Sequence, residues 1–210
     1  MKRALLCIGL LMVGCTPPVT HIDIPALKNS ESVVVKDLRP DTEKQSTIFS
    51  LSIMSKAYGT YRKGDEVLDP PMIQVLRHRV FEKFGASQGA NEIKVHHLVI
   101  YLNAKSALRK GVFGGAIGAA VAAKAKVNLV ASLEDPKAFD ELTGESEYKR
   151  ALYTEQENPD KASVYVMYLD AEINGKRVFV KTMSPTAAPD KQNALTLAVE
   201  STVKYYLDQY

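Results

Sequence analysis

The spacing of apolar residues changes period several times along the chain, and each change marks an element. Val33, Val34 and Val35 lead into Lys36–Pro40, a β-branched run that predicts a strand ended by Pro40, which has no N–H for a ladder. Thr47–Met54 alternates, with Phe49, Leu51 and Ile53 on one side and Ser50 and Ser52 on the other, and predicts a second strand. Tyr58–Val67 is turn-rich around Gly59 and Gly64 and reads as a loose hairpin. From Asp69-Pro70-Pro71 the period becomes helical. Ile73, Leu76, Val80 and Phe84 form a stripe widened by Met72 and Val75, with Asp69 as the expected cap and Gly85 as the stop. Glu92–Leu102 alternates at first and then turns apolar on both sides, the pattern of a strand buried within a sheet.

Strand-like alternation returns over Lys124–Leu133, where Ala125, Val127, Leu129, Ala131 and Leu133 share a side. Gly144–Tyr153 is read as another amphipathic strand, with Tyr148, Arg150 and Leu152 aligned. Val164–Ile173 and Lys176–Met183 flank Asn174-Gly175, the strongest short hairpin signal in the chain. A last helix is expected after Asp190 as cap, its core side carrying Leu195, Val199, Val203 and Tyr206 with Ala198 beside them. The elements predict one α+β domain over residues 33–210. An antiparallel, meandering sheet would carry helices 70–84 and 190–208 on one face.

Composition supports a real core and narrows the partners. The chain is 46% hydrophobic and 24% charged, ordinary for a globular protein. The formal charge is +3 and includes Lys2 and Arg3, too small an excess for a dedicated nucleic-acid binder.

The first residues change the picture most. Lys2 and Arg3 precede the apolar run Ala4–Val13, too short for a permanent membrane span but suited to a secretion signal. Leu11-Met12-Val13-Gly14-Cys15 resembles the lipobox of bacterial lipoproteins, which implies cleavage after residue 14 and acylation of Cys15. Residues 1–14 are then a signal peptide and 15–32 a lipidated cysteine with an extended, proline-bearing tether. Several acyl chains hold a protein to a bilayer far more firmly than one. Cys7 leaves with the signal, so no thiol remains for a disulfide, a metal or a nucleophile. Thr16, not aspartate, follows the cysteine, which in enterobacteria-like lipoproteins implies export to the outer membrane, here facing the periplasm.

The lipobox at Cys15, the strand VVVKDLRP, the helix PPMIQVLRHRVFEKFG and the terminal helix together are similar to the YajG-type small outer-membrane lipoproteins. That resemblance implies a strand–helix–strands–helix domain behind a lipid anchor and names no reaction. The glycine-rich insert and the hairpin 163–183 depart from the shorter family pattern.

Motifs for catalysis are missing: the chain holds no nucleophile elbow, no HExxH and no phosphate loop ending in Lys-Ser/Thr. His96 and His97, adjacent on a strand, are expected on opposite faces, and His78 lies among arginines. His21 is expected to be solvated. Asp37 and Arg39 are two apart on a strand and read as an ion pair at its end. The stretch that invites a contact role is 111–123, where Gly111, Gly114, Gly115 and Gly118 provide small-residue spacing. Lys105, Arg109 and Lys110 precede it, and Lys124 and Lys126 follow. The expectation is a non-enzymatic, membrane-anchored accessory subunit of the cell envelope, with an envelope protein as partner, no cofactor and no metal. The alternative is a periplasmic carrier holding a small ligand or lipid between helix 70–84 and the sheet.

Overall fold

The computed structural model describes residues 19–22, 27–51, 59–85, 92–104, 130–137, 147–153, 162–187 and 193–210. Its strands are β1 (Thr20–His21), β2 (Val34–Asp37), β3 (Thr47–Leu51), β4 (Gly59–Lys63), β5 (Leu68–Asp69), β6 (Glu92–Asn103), β7 (Val130–Leu133), β8 (Val164–Ile173) and β9 (Lys176–Pro185). The helices are α1 (Met72–Phe84), α2 (Glu147–Arg150) and α3 (Ala194–Leu207). Among the described residues the main sheet is seven-stranded in the order β3-β4-β6-β8-β9-β7, with β2 also on β6, and β1 and β5 form a separate pair.

β6 is the spine. It is 12 residues long, and from His97 to Tyr101 every residue is buried, as its change from alternating to continuous apolar character predicts. Its length lets two strands share one edge: β2 pairs with Glu92–Val95 and β4 with Ile100–Asn103. The β2 pairing is parallel, a departure from the antiparallel meander expected, while the other ladders of the main sheet are antiparallel. Pairing on β6 leaves Val34 47% exposed, so burial of the valine run falls on Val33 and half-buried Val35.

The β6–β8 ladder is interrupted once. Val95 faces Ala171 and His97 faces Asp170, so His96 is one residue extra, a β-bulge. The bulge changes which residues meet the helices: Ile93 and Val95 before it, Leu98 and Ile100 after it. Those four pack with Met167, Leu169, Ala171 and Ile173 of β8 and Val180 of β9 into the main core. α1 adds Val75, Leu76 and Val80, and α3 adds Leu195, Ala198, Val199, Val203 and Tyr206. Both long helices therefore lie on one face, as expected. The opposite face holds a second core of Val99, Tyr101, Val164, Val166, Tyr168, Phe179 and Met183, capped by Ala151 and Phe49.

At the tip of the β8–β9 hairpin, Asn174 and Gly175 have φ of 49° and 89°, the paired positive values of a type I′ turn. Local sequence decides this turn alone. Elsewhere neighbours overrule it. Residues 19–22 and 27–32 are built into the domain instead of forming a loose tether. β1 pairs with β5, the Ile22 N–H donates to the Asp69 carbonyl at 2.7 Å, and Ile22 is only 2% exposed. Leu27–Ser32 is a 3-10 turn beside α1, with Ser30 buried. The reason is one apolar side chain among prolines that finds the core.

Asp69 does not cap α1. Its backbone serves β5, and α1 starts at Met72 behind Pro71 with no side-chain cap. Tyr58–Val67 is not a hairpin in itself: β4 runs between β3 and β6 and then enters a 3-10 turn, Asp65–Val67. Glu147–Arg150 is a helix, not the strand read over 144–153; acid-first, base-last EYKR suits a helical turn, and its period-two match has no strand beside it. The cap of α3 is Asn193, whose Oδ1 accepts from the N–H of Leu195 at 2.9 Å and of Thr196 at 3.4 Å. Asp190 lies outside the described residues. β7 is an edge strand, so Leu133, counted on an apolar side, is 60% exposed.

Ile22→Ala tests whether the domain begins before Val33. Removal of a fully buried isoleucine side chain is expected to cost about 2–5 kcal/mol in urea unfolding, whereas a tether position would leave the midpoint unchanged.

Candidate functional site

The residues singled out for contact, Cys15, Gly111, Gly114, Gly115 and Gly118, lie outside the described residues. The structure does locate the described positions on either side of them. Asn103 pairs with Val164, Val164 with Pro185 and Val130 with Met183, so Ala104 and Val130 stand toward the same end of the sheet. The Ala104 N–H closes that corner by donating to the Gly59 carbonyl at 2.9 Å.

Both long helices start toward this end. Down α3, Thr202 Oγ1 meets Thr182 Oγ1 at 2.6 Å, the Tyr206 hydroxyl donates to the Ala171 carbonyl at 2.8 Å, and the Tyr210 hydroxyl donates to the Lys176 carbonyl at 2.6 Å. α3 thus runs from the open strand ends toward the 174–175 turn. α1 runs parallel to it: Arg79 grips Glu200, Lys83 reaches the Leu207 carbonyl, and the Phe84 and Tyr210 rings lie 6.4 Å apart. β5 directly precedes α1 and carries β1, so Thr20 and His21 sit beside the start of α1. His21 is exposed, with Nδ1 3.3 Å from Asp69 Oδ2.

A second cluster of chemistry-bearing side chains is built around a buried arginine. Arg39, read as half of a local pair, is 4% exposed and held by two carboxylates. Its Nε and Nη2 donate to Asp37 at 2.9 Å each, and Nη1 and Nη2 donate to Asp65 at 3.0 and 2.9 Å. Nη1 also reaches the Leu98 carbonyl at 3.4 Å. One guanidinium thereby joins the end of β2, the 65–67 turn and the middle of β6. Burial opposes the charge on Arg39, but the two aspartates outweigh it and push its pKa up. Burial likewise works against Asp37, yet Arg39 holds that carboxyl below its usual range.

On the face away from the long helices, Glu43 Oε1 is 2.8 Å from His97 Nδ1 and 3.3 Å from Arg150 Nη1, with all three residues buried. Nearby, Arg62 bonds Glu147, donates to the Gln45 carbonyl at 2.7 Å and to Thr47 Oγ1 at 2.8 Å, while the Tyr101 hydroxyl donates to Glu147 at 2.8 Å. Asp170, 0% exposed, takes Arg177 Nε at 2.8 Å and Nη2 at 2.5 Å. Desolvation leads the shift that lowers the His96 pKa, with Arg177 adding to it and Asp170 and Glu172 opposing. At the bulge Val95 stays in the main core while His97 meets Glu43 on the other face, so the strict alternation behind the opposite-face expectation for His96 and His97 does not hold there. Among the described residues no group of three His, Cys, Asp or Glu could hold a metal.

These groups act as clamps. Glu43 lies in the 3-10 turn Asp41–Lys44, Arg150 in α2 and His97 in β6, so one carboxylate fastens two connections to the sheet. Nothing local in the sequence marks Glu43, Asp65 or Glu147, since a carboxylate in a polar turn usually faces water. His78 is also buried, with Nε2 3.2 Å from Glu82 Oε1, a within-helix contact.

The space between α1 and the sheet, where a carrier groove was expected, is filled by Val75, Leu76 and Val80. A groove of about 480 Å³ lies instead between the two helices, lined by Arg79, Glu82, Lys83, Glu200, Val203 and Lys204 among others. Arg79 spans it, bonding Glu200 and Glu82. Among the described residues no helix is long and apolar enough to cross a membrane. Comparison with family models, with curated proteins and with solved structures found no match.

Arg39→Ala removes the guanidinium shared by Asp37 and Asp65, leaving Lys44 at 3.8 Å as the cation beside Asp37, and a loss of about 1.5–3 kcal/mol is expected in denaturant unfolding. A change below 1 kcal/mol would show that the cluster is as weak as an exposed pair. Alkaline pH supplies a separate check. Burial pushes the Tyr101 and Tyr206 phenols well up, Glu147 reinforcing the shift at Tyr101 and Tyr210 at Tyr206. A folded pKa above the unfolded one gives stability that is complete below about pH 10 and is lost as unfolded tyrosines ionise above it. Urea midpoints should therefore fall above about pH 10, with the tyrosinate absorbance of both residues withheld until the protein unfolds.

Proposed function

We propose that this chain is a non-enzymatic bacterial lipoprotein, anchored to the outer membrane through acylated Cys15 and facing the periplasm, whose domain works as an interaction or accessory subunit of the cell envelope. The observation that carries this reading is the segment Lys2-Arg3, Ala4–Val13 and Leu11–Cys15, which has the charge, apolar length and cysteine of a lipoprotein signal. The resemblance to YajG-type lipoproteins belongs to the same reading.

Two features of the domain support it. The charged side chains paired by their spacing, Asp37 and Arg39, are spent on fastening β2 and a turn to β6. The first described residue, Val19, follows Cys15 after only Thr16-Pro17-Pro18, so a lipid on Cys15 would keep the folded body close to the bilayer. A protein held in that way meets its partners in the plane of a membrane and needs no reaction of its own.

The test is Cys15→Ser in the full-length chain. The unaltered protein is expected to take up labelled palmitate and sediment with membranes, and the variant to lose both. A variant that still fractionates with membranes would overturn the anchor. Crosslinking of the unaltered protein in membranes is expected to recover a second envelope protein.

A further inference from the structure

We propose that two copies of this chain pair edge to edge through β7, antiparallel about a two-fold axis that passes between their Ser132 residues. This goes beyond the lipid-anchor reading and does not depend on it.

Three strands of the main sheet have an open edge among the described residues: β3 and β7 at its two ends, and β2, which sits off the main path on β6. An open edge is a row of unpaired N–H and C=O groups, and proteins that stay apart guard it with charge, proline or a bulge. β3 is guarded by the irregularity between Ile48 and Ser50, which breaks its run of pairs. β2 is guarded by Lys36, exposed in the middle of the strand, where a second copy would set its own lysine against it. β7 has no such guard. Val130-Ala131-Ser132-Leu133 carries no charge and no proline, and it pairs with β9 without a bulge.

The backbone fixes which residues can bond outward. The Glu134 N–H donates to the Phe179 carbonyl at 2.9 Å. Alternation along an antiparallel ladder then turns the backbone groups of Ser132 toward β9 and those of Ala131 and Leu133 toward the open edge. Within the strand, one symmetric register uses both outward residues of each copy. It sets Ala131 against Leu133 of the second copy and Leu133 against its Ala131. Ser132 then faces its own counterpart across the axis, a non-hydrogen-bonded pair with Cα atoms about 4.5 Å apart.

The side chains suit that register. Ala131 is opposite Thr182, which bonds Thr202 of α3, and Leu133 is opposite Val180 of the main core, so both lie on the helix side. Among the described residues α3 packs on β8 and β9, and at the margin of that layer Leu133 stays 60% exposed. In the pair each Leu133 lies beside the small Ala131 of the other copy, and two serines meet on the opposite side with no like charges face to face. The occupant is therefore a second copy, because the edge is complementary to itself. A ladder this short buries little area, so association is expected to depend on concentration.

The test uses the full chain with Cys7 and Cys15, its two cysteines, both replaced by serine, so that acylation plays no part and an introduced thiol stands alone. Sedimentation equilibrium in detergent is expected to show monomer and dimer in exchange. Under mild oxidation Ser132→Cys is expected to form a disulfide-linked dimer about tenfold faster than Lys36→Cys on the edge of β2, since the separation at the axis suits the bond. Leu133→Lys is expected to leave the urea midpoint in place, shift the chain to monomer and slow the Ser132→Cys disulfide to the rate of Lys36→Cys. A chain that is monomeric at every concentration, with Ser132→Cys no faster than Lys36→Cys, would overturn the pairing. A dimer that survives Leu133→Lys with no preference for position 132 would overturn it too, by placing the contact on another surface. Either failure leaves the lipid-anchor reading as it was, because no sample carries Cys15.

Discussion

The pairing of β6 with β8 is the constraint on which the two cores depend. It runs from Ile93 opposite Ile173 to Asn103 opposite Val164, a ladder with as many pairs as that between β8 and β9. Both faces of both strands are covered, so any shift of register would move apolar side chains to the wrong layer. The extra residue at His96 has the same effect by design of the sequence. Without it, Leu98 and Ile100 would turn toward the second core and His97 toward the helices. With it, the main core keeps Ile93, Val95, Leu98 and Ile100 on one side, and His97 meets Glu43 on the other.

The two faces are finished by different physics. Toward α1 and α3 the contacts are apolar and numerous, and the few polar groups there, such as Thr182 with Thr202, bond one another. On the other face short connections must be brought down over aromatic side chains, and they bury too little apolar area to stay there by burial alone. Ion pairs do that job: Arg62 with Glu147, Arg150 with Glu43, and at the edge Arg39 with Asp37 and Asp65. Buried ion pairs add little net stability over well-packed apolar groups, but breaking one leaves a costly lone charge. They therefore set where a loop must lie more than how stable the domain is.

What could be read from sequence follows the range of the forces involved. The Asn174-Gly175 turn, the stripe of α1 and the buried centre of β6 are set by neighbours within a few residues, and the pattern shows them. Helix starts were less legible. Asp69 has the chemistry of a cap, yet its backbone is taken by pairing with β1, a partner far along the chain, and the cap of α3 is Asn193. Ile22 was hidden by the prolines around it, and the short EYKR helix by a chance alternation. The ionic layer was the least legible. Asp37 and Arg39 could be paired by spacing, but Asp65 joins them across 26 residues and Glu43 reaches Arg150 across 107.

The order of elements along the chain has a kinetic consequence. α3 packs on strands that all precede it, and α1, made much earlier, leans on α3 through Arg79 and Glu200. Until α3 emerges, the helix-facing side of β8 and β9 is bare, with Met167, Leu169 and Val180 open to water or to another chain. β2 must likewise wait for β6, since Val34 pairs with Glu92. Contacts that close over such distances slow folding and prolong the time spent with apolar surface uncovered. A molecule of this design keeps that surface sticky until its last residues are in place, and whatever shields it must let go only when the closing helix arrives.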